Sequence, residues 1–122
     1  MPVRVRYKVR LQGSITPSAL NTETNIVNLG NLEDDYILEG QISLQNMASG
    51  DTVVIRVYIA VDGTNQVKSD EMTFSNAQSV PVVRIPEIML PYNGKARITI
   101  TQTAGSLKSY PYAIIYQVLE TI

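Results

Sequence analysis

Hydrophobic residues in this chain recur at every second position, and no window longer than ten residues repeats at the 3.6-residue spacing of a helix. Tyr36, Leu38, Gly40, Ile42 and Leu44 alternate with Glu39, Gln41, Ser43 and Gln45. Val53, Ile55, Val57, Ile59 and Val61 alternate with more polar neighbours such as Arg56 and Tyr58. Ala96, Ile98 and Ile100 are interleaved with Lys95, Arg97, Thr99 and Thr101, and Tyr112, Ile114, Tyr116 and Val118 follow the same rhythm. A strand sends successive side chains to opposite faces. Alternation over five or more positions, rich in β-branched and aromatic residues, therefore predicts strands with one buried face.

Turn chemistry separates these runs. Ala48-Ser49-Gly50-Asp51 lies between the third and fourth runs at hairpin length, Asp62-Gly63 follows the fourth, and Asn93-Gly94 and Ala104-Gly105-Ser106 flank the seventh. Asp-Gly and Asn-Gly tolerate the positive φ that tight reversals need. Pro81, Pro86 and Pro91 each remove a ladder donor, which makes 80–91 an edge strand or a partly paired segment. Eight strands are predicted: 3–11, 24–29, 36–46, 52–61, 70–75, 80–89, 95–103 and 112–120. A chain of 122 residues is expected to form one domain, 1–122, large enough to bury a real core. The fold class is all-β, an antiparallel sandwich of about eight strands. A jelly roll suits that count, and an immunoglobulin-like sandwich without its Cys–Trp–Cys core is the alternative.

The N-terminal segment 1–13 is the most polarised part of the chain, a basic strand or arm. Val3, Val5, Tyr7, Val9 and Leu11 occupy odd positions, and Arg4, Arg6, Lys8 and Arg10 the even ones. Strict alternation places four cations in one row, about 7 Å apart. Like charges at that distance repel by about 0.6 kcal/mol in water and several times more near a protein surface. Such a row resists burial unless anions face it. Three readings are open: a solvated edge that discourages aggregation, an acidic surface on the same or another subunit, or phosphate. Three of the four cations are Arg, which suits bidentate pairing with carboxylate or phosphate. Nucleic acid is less favoured, because only Tyr7 is available as a stacking platform and it falls on the opposite face. The 1–13 segment carries four of the ten cations and no acid, and the rest of the chain nets −5. Glu33, Asp34 and Asp35 are the natural acidic counter-surface.

Composition narrows the chemistry. Cysteine and histidine are both absent, which removes the usual nucleophile, general base and metal ligands. No Gly-x-Ser-x-Gly and no glycine-rich phosphate loop is present. The acid cluster lacks the spaced ligands of a calcium loop. We expect no enzyme, no catalytic set, no metal and no cofactor. No signal peptide or membrane span is expected, since apolar runs such as 57–61 stop at five residues. Tyr110, Tyr112 and Tyr116 share a face with Ile114 and read as core. Tyr58 and Tyr92 are better candidates for exposed, ligand-facing aromatics, as a carbohydrate site would need.

The basic segment Arg4–Arg10, the Thr- and Gln-rich alternation of Arg97-Ile98-Thr99-Ile100-Thr101-Gln102-Thr103, and the missing catalytic set together resemble the small single jelly-roll structural proteins of virions, of capsid, vertex, cement or decoration type. The resemblance covers the whole length as architecture. It implies a subunit of a homomeric assembly in a virion, capsid or tail, whose partners are copies of itself and other virion proteins and whose contacts run through the first strand. Capsid arms that touch genome tend to be disordered and basic throughout, whereas this segment reads as an ordered strand. That favours subunit pairing over genome binding. The alternative function is a β-sandwich module that binds carbohydrate or a host surface.

Overall fold

The computed structural model describes residues 2–30, 32 and 34–122, and these form eight strands. They are β1 (Val3–Ile15), β2 (Thr24–Leu29), β3 (Tyr36–Ser43), β4 (Thr52–Ala60), β5 (Val67–Ser75), β6 (Val82–Leu90), β7 (Lys95–Ala104) and β8 (Tyr110–Thr121). One sheet has the order β1-β8-β3-β6 and the other β2-β7-β4-β5, with every pairing antiparallel. This is the jelly-roll arrangement, not the immunoglobulin one. The main differences from the expected bounds are that β1 runs four residues further, β5 starts three earlier and β3 stops at Ser43. Of the two expected ligand-facing aromatics, Tyr58 lies in β4 and Tyr92 in the β6–β7 turn.

Consecutive strands mostly change sheet. Only β4 and β5 pair directly, through the Asp62-Gly63 turn, where Gly63 has φ of +80° and Asp62 Oδ1 accepts the Thr64 and Asn65 amides. The Ala48–Asp51 and Asn93-Gly94 turns reverse the chain as expected, yet each hands it to the opposite sheet and so closes no hairpin.

The core is the set of inward residues that the alternation marked. Leu38, Ile42, Ile114 and Val118 from one sheet meet Val53, Ile55, Ile98 and Ile100 from the other, all 1% exposed or less. Tyr110 is buried with them, and Tyr112 and Tyr116 pack against the cluster, as the sequence stripe implied. Buried tyrosines need partners for their hydroxyls. Tyr36 donates to the Gly94 carbonyl at 2.8 Å, and Tyr110 to Gln102 Oε1 at 2.6 Å. Burial pushes both phenols up to about 12. Gly40 is required in β3, because a Cβ there would strike Ile114 Cδ1 and lie 2.6 Å from the Ala113 carbonyl.

One end of the sandwich is closed by a buried polar knot. Gln102 donates to the Ala104 and Ser106 carbonyls and accepts from the Lys108 amide as well as from Tyr110. Asp51, 1% exposed, accepts the Ala48 and Ser106 amides and pairs with Lys108 Nζ at 2.9 Å. The Lys108 hydrogen bond, with the Ala48 amide next, holds the Asp51 carboxyl below the usual carboxylate range despite burial. A carboxyl whose pKa is depressed by folding contributes stability above its unfolded value of about 3.9 and loses it as pH falls through the folded value. We expect Asp51→Asn to be clearly less stable than the parent from pH 7 down to about 5. The gap should narrow below about pH 4. Urea unfolding midpoints across that range test this, and a pH-independent gap would remove the ion pair from the account.

Candidate functional site

β1 is an edge strand, hydrogen-bonded to β8 alone among the described residues, over nearly its whole length. Residues facing each other across an antiparallel pair project to the same side. Tyr7, Leu11 and Ile15 face Val118, Ile114 and Tyr110, all buried, so these β1 side chains point into the sandwich. Lys8 and Arg10 face Gln117 and Ile115 and lie on the outer surface.

The register then slips. Val5 faces Leu119 and Tyr7 faces Val118, leaving Arg6 as the extra residue of a β-bulge. A one-residue slip exchanges the two faces of a strand. N-terminal to the bulge, Val3 and Val5 therefore turn outward, 61% and 45% exposed, and Arg4 turns to the core side at the end of the sheet. The expected single row of four cations does not form. Lys8 and Arg10 keep the outer face, while Arg4 pairs across the strand with Glu120 at 2.7 Å.

Glu120, an acid the sequence reading did not select, is the partner of Arg4. Its position opposite Arg4 depends on a register that the sequence does not display. Glu33 lies outside the described residues. Asp34 Oδ1 accepts the Asp35 amide, and Asp35 Oδ1 accepts the Tyr92 amide. The Asp35 carbonyl accepts from Leu119 at 2.8 Å, which docks this loop beside the end of β8. β8 thus separates the loop from β1, and no ion pair joins Asp34 or Asp35 to Arg4, Lys8 or Arg10. Among the described residues, Lys8 and Arg10 have no acidic partner.

The outer face of the second sheet carries a polar network instead of an open aromatic platform. Tyr58 donates to Glu23 Oε2 at 2.6 Å, Thr99 donates to the same oxygen at 2.7 Å, and the Arg97 guanidinium lies 4.4 Å from the Tyr58 ring centroid. Arg56 bonds Glu71 through Nε at 2.7 Å and lies 3.7 Å from Glu23. Burial works against the Glu23 charge, but the Tyr58 and Thr99 hydroxyls and the two arginines outweigh it and hold its pKa down. Tyr58 is therefore on the polar face, as expected, but one face of its ring is covered by a cation. Tyr92 is 62% exposed. Among the described residues no group of three or more acidic side chains is placed to hold a metal, and no helix is long and apolar enough to cross a membrane.

Comparison with protein-family models and with curated protein sequences finds no match. Solved structures do share the fold. A Bacillus endospore appendage subunit, from a family of disulfide-linked pili, superposes with a TM-score of 0.52 at 14% identity, over 91% of this chain and 88% of its own. VP2 of infectious bursal disease virus, in a subviral particle, gives a TM-score of 0.51 at 12% identity over 95% of this chain. The Gx strain of that virus gives 0.51 at 13% over 97%. This chain spans only 33% of the length of either viral chain. At such identities the likeness is one of fold. The appendage subunit and the subviral-particle protein belong to assemblies, and this jelly roll resembles both.

The Tyr58–Glu23 bond has a measurable weight. Tyr58→Phe removes the donor and keeps the ring under Arg97. On a partly exposed charged acceptor the loss should be about 1 kcal/mol of unfolding free energy, read from denaturant melts. An unchanged midpoint would make the network a solvated decoration.

Proposed function

We propose that this protein is a non-enzymatic structural subunit of a homomeric assembly, most simply a capsid, cement or tail component of a virion, which uses β1 for subunit contacts. The observation that carries the reading is the state of that strand. It spans 13 residues, pairs on one side only, and presents two exposed valines and two unpartnered cations. A long edge strand with open backbone groups is a template for another chain unless it is covered. The shared fold of a subviral-particle protein and a pilus subunit supports the same reading at the level of architecture.

The cations would meet acids on a neighbour, so their contribution should be screened by salt. The Debye length falls from about 10 Å at 0.1 M to about 3 Å at 1 M. Light scattering and electron microscopy of the purified chain should reveal a ring, shell or filament near 0.1 M salt that weakens at high salt. Lys8→Gln with Arg10→Gln keeps the strand and removes the charge, and should weaken assembly near 0.1 M. A monomer under all conditions would overturn the proposal. A monomer that also bound a panel of glycans would favour the carbohydrate-binding alternative.

A further inference from the structure

The sheet that begins with β1 ends with β6, and the opposite edge of the molecule is as distinctive as β1 itself. β6 and β5, the terminal strands of the two sheets, are both bulged at the same level. In β6 the register slips between Ile85 and Ile88, around Pro86 and Glu87. In β5 it slips at Ser69, between Lys68 and Asp70. Bulges bend edge strands and re-aim their side chains. Here they part the two edges into a cleft of about 250 Å³. Val57, Ile59, Ile85 and Ile88 form its apolar lining, and Asp70 and Glu87 bring carboxylates to it. Both acids are exposed, and among the described residues neither has a cationic partner. Asp70 accepts a hydrogen bond from the Glu71 amide.

We propose that this cleft receives the β1 edge of a second copy of the chain, with Lys8 and Arg10 meeting Asp70 and Glu87. The inference rests on the assembly role proposed above and names the surface that completes it. Two features select this occupant. Lys8 and Arg10 are unpartnered cations beside exposed valines, and the cleft combines unpartnered acids with an apolar lining, so charge and polarity are complementary. A symmetric β1-to-β1 contact is disfavoured, because it would bring two cationic strands together. The other short edge, β2, carries no charge at all. Because β1 and β6 lie at opposite ends of one sheet, the contact is head-to-tail. Such contacts propagate into a ring where the rotation closes and into a filament where it does not.

Charge reversal on each side tests the pairing. Lys8→Glu with Arg10→Glu makes both surfaces acidic, and Asp70→Lys with Glu87→Lys makes both basic. All four positions are exposed, and circular dichroism melts verify that each variant folds. Near 0.1 M salt each variant alone should associate at least about tenfold more weakly than the parent. An equimolar mixture should recover assembly, because each acidic β1 finds a basic cleft and each basic β1 an acidic one. The chain carrying all four substitutions should assemble alone. Where a reversed variant does not fold, Asp70→Asn with Glu87→Gln replaces it, and the result expected is weaker assembly with a smaller salt response. Two outcomes overturn the pairing and leave the assembly role standing: variants that assemble like the parent, or a mixture that stays dissociated while the parent assembles. A parent chain that never assembles overturns both.

Discussion

Every strand of this protein obeys one constraint: successive side chains must go to opposite faces, and one face of each sheet is committed to a shared core. That constraint decides register. Moving β3 by one residue against β8 would carry Leu38 and Ile42 out to solvent and bring Glu39 and Gln41 in. The central β3–β8 pairing runs from Tyr36 to Ile42 without a slip. By contrast, each of the four edge strands slips once against its inner neighbour: β1 at Arg6, β2 at Ile26, β5 at Ser69 and β6 at Pro86-Glu87. The inner β4–β7 pair of the other sheet slips only at its end, around Thr103, so the alternation is held along the middle of both sheets and broken at every edge strand.

Those breaks have two consequences that belong together. An unbroken edge strand invites uncontrolled pairing, and a bulge or a proline blunts it. Pro86 and the β6 bulge do this at one end of the sheet. A bulge also changes which side chains face outward. At Arg6 it puts Val3 and Val5 outside and swings Arg4 round to Glu120. At Ser69 and Glu87 paired bulges open a cleft between the sheets. The same device that makes general aggregation harder thus leaves particular, chemically marked surfaces at opposite ends of the molecule.

Much of this fold is legible in the sequence. The eight strands follow from alternation and turn residues, because burial of one face selects residue types directly. The core tyrosines 110, 112 and 116 follow from the same rule. What the sequence hides is anything that depends on pairing across distance. The Ala48–Asp51 turn has hairpin chemistry, but a turn fixes only the reversal of the chain and not the sheet that receives the next strand. Asp51 looks like an ordinary turn aspartate until Lys108 is brought to it from the β7–β8 loop. The basic row of β1 departs from its expected single face for the same reason. Its alternation is unbroken in the sequence, and the bulge is imposed by the register with β8. Tyr58 is legible as a polar-face residue, whereas its cover by Arg97 depends on the β4–β7 pairing.

The absence of cysteine bears on how such a subunit could hold to its neighbours. The Bacillus appendages that share this fold are disulfide-linked pili, and this chain has no thiol with which to form such a link. In the proposed assembly, contacts between copies would rest on backbone pairing, apolar burial and ion pairs. Single exposed ion pairs are each worth less than about 1 kcal/mol, so no one of them could secure a particle. Repetition changes the balance. In a closed ring or shell each subunit is held by several contacts at once, and losing it breaks them together. Weak, salt-screened contacts are then sufficient, and they let a misplaced subunit leave before neighbours lock it in. A cationic edge facing an acidic cleft fits that regime, because it sets the direction of the contact without making it irreversible.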